Sequence, residues 1–481
     1  MTISHQLSSI ARTAALALVG ATISVASSAS TLSAQTPDFD RTKPPVVPPP
    51  KPLAFPKAQV RQLSNGVPVI VLEDHHSPVV AVQAMFDIGA LAEPSGKKGL
   101  YNMTQGMMDE GSTTHTADQL ADIFADLGNS VSPQGFYTIT QNVDKSLALM
   151  AEQLLSPAFP QVALDRAKAN AAAGLKAAKE SPDYLSRIAF IKVLYGEQHP
   201  YARVETEQEI MSITRDDVLA FYRDYFCPPN VKFIVAGDIT PAEAVAKLNP
   251  LFGKLAKGKN GHPPVPAPAG VAATTIYLYD RPESPQSVIT VGAIGPRRDS
   301  PDRLAIQTMN VTLGGAFTSR INLNLREQHQ YTYGAQSGFS FNRPPEPSIF
   351  RAGTSVSTPK TDSALIELMK EIRDIRSTRP VTEGELAFSK NSQTAGMPLQ
   401  FETIGQRAMA MMFLVMDDER LDYYNTLIPQ INALTLTQDR EAAAKYIDPN
   451  KMAIVVVGDR KLIEPGLRAA NLAPIVILKP L

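Results

Sequence analysis

The 481-residue chain contains a single cysteine, Cys227, so no disulfide can close within it. A lone cysteine in an exported chain reads most simply as a packed thiol, with a bridge to another molecule left open. Excess charge is also lacking: 46 Lys+Arg face 47 Asp+Glu, a net charge of −1. With no basic stripe, nucleic-acid binding and a lasting hold on anionic membranes are disfavoured. Long apolar runs are missing as well. The longest, residues 14–26, is about a dozen residues, against the roughly 20 that a membrane-spanning helix needs. Arg12 precedes that run, and small residues after it offer cleavage after Ala29 or Ala34. Residues 1–34 therefore read as a signal peptide, and the mature protein is expected in the bacterial periplasm or outside the cell.

The remaining chain is long enough for two to four domains. Residues 35–56 form a proline-rich arm that includes Pro44-Pro-Val-Val-Pro-Pro-Pro50, a composition that favours extended polyproline geometry. A second Gly/Pro-rich break, 257–272, divides the rest into halves, 57–256 and 273–481. The halves repeat one another weakly. Thr214-Arg-Asp-Asp217 is a helix start with a capping-box acid, Cys227-Pro-Pro-Asn230 stops that helix, and Lys232-Phe-Ile-Val-Ala-Gly-Asp238 reads as a strand. The same order returns in the helical 437–446, the stop Asp448-Pro-Asn450 and the strand Met452-Ala-Ile-Val-Val-Val-Gly-Asp459. Pro78-Val-Val-Ala-Val-Gln-Ala-Met and Pro285-Gln-Ser-Val-Ile-Thr-Val-Gly also correspond. Runs of strand followed by amphipathic helices suit an α+β fold, helices on a mainly antiparallel sheet.

The most informative segment is Gly99-Leu-Tyr-Asn-Met-Thr-Gln-Gly-Met-Met108. Around it stand Asn65-Gly-Val-Pro-Val-Ile-Val-Leu-Glu-Asp74, Gly89-Ala-Leu-Ala-Glu-Pro-Ser-Gly96, Glu110-Gly-Ser-Thr113, Leu155-Ser-Pro-Ala-Phe-Pro160 and His199-Pro-Tyr201. In content and order these pieces resemble the pitrilysin/insulinase-type metallopeptidases, in which the helix carries H-x-x-E-H. The resemblance implies two homologous domains, each a mainly antiparallel sheet covered by helices. It also implies that Asn102, Gln105 and Gly106 stand where the two histidines and the glutamate would be. Residues four apart share one helix face, so two imidazoles at that spacing can enter one zinc sphere. Asn102 is a poor zinc ligand, Gly106 has no side chain, and Gln105 cannot act as a general base. The family's third ligand, a glutamate on a later helix, falls at Ala173 or Gly174 when counted back from Pro182-Asp183. The resemblance thus implies no zinc or other cofactor in this chain.

In the second half, Leu313-Gly-Gly-Ala-Phe-Thr-Ser-Arg320 and Leu325-Arg-Glu-Gln-His-Gln-Tyr-Thr-Tyr-Gly334 resemble the family's L-G-G-x-x-x-S-R and R…Y segment. There an Arg and a Tyr seven positions apart face the zinc site, and Arg326 and Tyr333 fall on those positions. A guanidinium can hold a substrate carbonyl and a phenol can donate to a developing oxyanion. Tyr331, two residues earlier, breaks the family's spacing. His75 and His76 read as a polar turn, His115 as solvent-facing, and His329 lacks a second ligand at metal spacing. The Met pairs at 107–108 and 411–412 read as core.

The expected function is that of a zinc-less subunit in a periplasmic heterodimeric zinc metalloendopeptidase. It would be inactive alone, supplying Arg326 and Tyr333 to a homologous partner that carries the zinc. Peptide or unfolded protein would be the substrate. The alternative is a structural or peptide-binding pseudo-peptidase, the latter holding extended chains on a sheet edge.

Overall fold

The computed structural model describes residues 53–343 and 346–480. The expected signal peptide, and the arm as far as residue 52, lie outside the described residues. Strands β1 (Gln59–Gln62), β2 (Pro68–Glu73), β3 (Val79–Phe86), β4 (Val131–Ser132), β5 (Gly135–Ile139) and β6 (Val231–Gly237) form one sheet, in the order β1-β2-β6-β3-β5-β4. Strands β7 (Thr275–Asp280), β8 (Gln286–Ile294), β9 (Ala335–Phe339), β10 (Ile349–Ser357), β11 (Ala453–Gly458) and β12 (Ile475–Ile477) form a second, in the order β12-β7-β11-β8-β10-β9. The five strands β2-β6-β3-β5-β4 correspond in order and direction to β7-β11-β8-β10-β9. In each, the first pair is parallel and the others antiparallel. The sixth strand breaks the repeat: β1 enters antiparallel ahead of the first set, and β12 joins parallel after the second. The expected α+β duplication is thus the observed fold.

The repeated local signals appear where the sequence puts them. Thr214 accepts from the Asp217 amide at the start of the Arg215–Tyr225 helix, and Asp217 returns the bond, a reciprocal cap. Thr435 and Gln438 do the same for Leu436–Tyr446. His75 and His76 occupy the turn between β2 and β3, bonded to Glu73, Asp238 and Asp74. His115 is half-exposed and pairs with Glu152 at 2.8 Å. Met107, Met108 and Met411 are buried, as is Cys227.

Strand β11, and β6 apart from Lys232, are apolar because both sheet faces are covered. One face of β6 sends Phe233 and Val235 into the helices of its own half, and the other sends Ile234 and Ala236 toward Ala408, Met411 and Leu414 of helix Ile404–Met416. The second half therefore covers the outer face of the first sheet. The reverse also holds: Leu185 and Phe190 of helix Pro182–Tyr195 pack on Val288, Val455 and Val457 of the second sheet. Ser186 bonds Thr290 at 2.9 Å across this contact, and Phe190 fills the space over Gly292, where a Cβ would lie 2.7 Å from its ring. Ion pairs pin both exchanged layers: Arg407 to Asp74, and Arg281 to Glu180 just before the 182–195 helix. A third cluster joins the halves at Asp87, which meets His262 of the Gly/Pro break at 2.5 Å and Arg343 at 3.0 Å. Burial alone would raise the Asp87 pKa, but Arg343 and His262 hold it below the usual carboxylate value.

One buried acid has no such partner. Asp439 is fully buried, and neither carboxylate oxygen has a hydrogen-bond partner among the described residues. Burial pushes its pKa up to about 7, with Lys390 opposing the shift and Glu385 adding to it. The folded state then keeps a proton that the unfolded chain releases near its ordinary pKa of 3.8, so this group makes stability fall as pH rises from about 4 through about 7. Asp439→Asn should flatten that slope and raise stability at pH 8 by an amount on the order of a few kcal/mol. Urea melts of both proteins at pH 5 and pH 8 check it; equal slopes would show that Asp439 is ionised and satisfied in the fold.

Candidate functional site

Helix Leu100–Met107 buries Leu100, Met103, Thr104 and Met107 against the first core. The opposite stripe carries Asn102 and Gly106, both exposed, and Gln105, half-exposed. Neither amide side chain has a hydrogen-bond partner among the described residues. Gly99 enters the helix at φ 96° and makes no side-chain cap, so Glu93 does that work. Its Oε1 accepts from the Gly99 and Tyr101 amides, each at 2.9 Å. Helix Gln161–Lys179 packs beside this helix, with Ala173 and Gly174 on its exposed side. A Cβ added at Gly106 or Gly174 would meet nothing within 4 Å.

The stripe has room for metal-binding side chains, but the residues on it do not fit a zinc centre. Two amides and two glycines supply no imidazole, thiolate or carboxylate. Among the described residues no group of three or more His, Cys, Asp or Glu is placed to hold a metal ion.

The second set lies in the second half, on unusually wound backbone. Two π-helical segments, Val311–Gly315 and Leu323–Gln328, flank the short helix Arg320–Asn322. Such windings are rare and re-aim side chains relative to an α-helix. Gly314 is required for the first, since a Cβ there would lie 2.5 Å from the Ser337 amide nitrogen of β9. Arg320 is buried and makes two bonds of 2.7 Å to Glu385, anchoring the segment. Glu385 is in turn held down to about 2: burial works against this, and Arg320 and the Thr382 cap outweigh it.

Arg326 rides on the second π-helical segment with its guanidinium 4.4 Å from the centre of the Phe317 ring. Its one ion pair among the described residues is loose, 3.4 Å to Glu327. Tyr333 is 93% exposed, whereas Tyr331 stacks on His329 at 5.0 Å and packs against the second core. Of the two tyrosines, Tyr333 is the exposed one and Tyr331 is half-buried. Phe317 and Tyr333 line one cavity of about 530 Å³, and Arg326 meets it through Phe317. Asn322 fixes this arrangement: Nδ2 donates to the Phe317 carbonyl at 2.6 Å, and Oδ1 accepts from the Ala335 amide at 3.0 Å. Among the described residues no hydrogen bond or ion pair links Arg326 or Tyr333 to helix Leu100–Met107.

Sequence reasoning did not single out Phe317 or Asn322. Phe317 is 64% exposed, a large apolar side chain just past a Gly-Gly pair, and that placement was its one sequence signal. Nothing in the sequence distinguishes Asn322, whose role depends on how β9 returns. The outer edge of β9 is closed as well, because Asn322 takes the Ala335 amide and Asn310 donates to the Ser337 carbonyl at 3.0 Å.

Two duplicated α+β halves thus carry, at the motif position, a helix whose exposed stripe offers no imidazole, thiolate or carboxylate. Residues 212–393 match the family model of the peptidase M16 inactive domain. It is 22% identical over 408 residues to the non-peptidase homolog YmxG of Helicobacter pylori, spanning 82% of this chain and 92% of that one. The fold is similar to a crystal structure of a peptidase M16 inactive domain from Pseudomonas fluorescens, with a TM-score of 0.73 and 24% identity over 88% of this chain and all of that one. It is also similar to the periplasmic protease PqqL of Escherichia coli, with a TM-score of 0.70 and 16% identity over 87% of this chain and 49% of that one.

If only the donors have been lost, restoring them should restore the metal. The variant Asn102→His, Gln105→Glu, Gly106→His, Gly174→Glu is expected to retain about one zinc per chain after dialysis, and the parent none. A folded variant that stays metal-free would show that the two helices no longer hold ligand geometry.

Proposed function

We propose that this chain is the zinc-less subunit of a periplasmic heterodimeric zinc metalloendopeptidase. It supplies Arg326 and Tyr333 to the site of a homologous chain that carries the zinc. One contrast carries this reading: the motif stripe has no donors left, while Tyr333 stands 93% exposed beside an Arg326 held on Phe317. A phenol so exposed contributes little to this chain's own packing, and it lines a cavity large enough for peptide side chains. The partner would bring the metal. In the joint site Arg326 would hold the substrate carbonyl and Tyr333 would donate to the oxygen that gains charge. The similar proteins point both ways, since one is a non-peptidase homolog and another a periplasmic protease.

The second reading, a peptide-holding protein that does not cleave, rests on the same cavity. Strand addition at β9 has little support, because asparagine side chains already occupy that edge. A structural role without ligand remains the third outcome of the test.

Hydrolysis of a quenched peptide is measured with the chain alone, with a zinc-motif homologue alone and with the mixture. Activity confined to the mixture is expected, and Arg326→Ala should lower its kcat/KM by about 10²-fold without disturbing assembly. An unchanged kcat/KM in that variant would remove the proposed role of Arg326.

A further inference from the structure

We propose that Arg351 is a specificity residue that receives an acidic side chain of the peptide held at Arg326 and Tyr333. This rests on the peptide-binding reading above. On the outer face of the second sheet, helix Pro182–Tyr195 packs over β11 and β8. The outward residues of β10 and β9, among them Gln336, Gly338, Arg351, Gly353 and Ser355, instead line two adjoining cavities of about 530 and 430 Å³. The cavities share Gln336, Arg351 and Gly353, and the larger is the one walled by Phe317 and Tyr333. A chain lying against Tyr333 can therefore continue across Arg351 along the sheet face.

Register explains why Arg351 stands alone. Its cross-strand neighbours are Gly338 on β9 and Gly292 on β8, so neither paired residue carries a side chain: Phe190 covers the Gly292 position and the Gly338 side is open. A Cβ at Gly338 would meet nothing within 4 Å. Arg351 is exposed and has no hydrogen bond, ion pair or ring partner among the described residues, unlike Arg320, Arg343 and Arg407. An unpaired guanidinium in an open polar groove matches a carboxylate, which its fork can bind through two parallel N–H donors. Asp183, also on the wall of the larger cavity, makes no ion pair with Arg351. Its charge disfavours a carboxylate placed near it, which confines the acidic side chain to the Arg351 side.

The test uses the mature chain and a fluorescein-labelled peptide with one central Asp, compared with the same peptide carrying Asn. Anisotropy should show the Asp peptide binding roughly fivefold tighter at low salt, with the preference fading as salt rises. Arg351→Ala should abolish the preference, so that the Asp and Asn peptides bind equally, and Arg351→Glu should reverse it toward a Lys peptide. Equal binding of the Asp and Asn peptides by the parent chain overturns the assignment of Arg351 and leaves the peptide-binding reading standing. A preference that survives in Arg351→Ala does the same. If neither peptide binds the chain, alone or mixed with the zinc-motif homologue, both the assignment and that reading fall.

Discussion

Everything in this molecule depends on an exchange of helices between its two halves. A mixed sheet with apolar central strands must be covered on both faces, and each half covers only one face of its own. Ile234 and Ala236 of β6 meet Ala408 and Met411 from the second half, and Val455 and Val457 of β11 meet Leu185 and Phe190 from the first. Burying a single large apolar side chain is worth about 2 kcal/mol. Either half alone would leave a full sheet face in water, a far larger loss than any surface ion pair could offset. The halves are therefore homologous in pattern but interdependent in stability. Arg407–Asp74 and Arg281–Glu180 set where the exchanged layers sit more than how strongly they hold.

That interdependence also separates what could be read from the sequence from what could not. The repeated helix–break–strand units were legible because each is written locally, by Thr214 with Asp217, by the Pro-Asn stops, and by strands apolar on both faces. The exchange itself left no local mark. Helix Pro182–Tyr195 buries residues on several sides, and its sequence does not say which sheet receives it. The closure of β9 by Asn310 and Asn322 is likewise a property of the assembled fold, and so is the isolation of Arg351 between Gly338 and Gly292.

For the candidate site, the family frame named segments but was silent on their presentation. It marked Asn102, Gln105, Gly106 and Gly174 as substituted positions, and these lie on exposed or half-exposed surface. That location explains how the donors can be absent without loss of the fold. The frame is held by Leu100, Met103 and Met107 on the other side of the helix and by Glu93 at its start, and none of these contacts involves the stripe. Chemistry and stability are carried by opposite faces of one helix, so the first can vanish while the second persists.

Around Arg326 and Tyr333 the two cannot be separated in that way. The Asn322 side chain binds the carbonyl of Phe317, the ring beneath Arg326, and the amide of Ala335, two residues past Tyr333. The same amide group therefore closes the sheet edge and sets the spacing between the Arg326 platform and Tyr333. Buried Arg320 anchors the backbone that precedes it. A substitution that freed Tyr333 would also open the edge of β9, and one that opened the edge would release the Phe317 turn. Conservation of stability alone would keep this scaffold in place, so the scaffold says little about function. Stability makes no comparable demand on a 93%-exposed phenol, and its presence at the mouth of the cavity is what the fold leaves for function to explain.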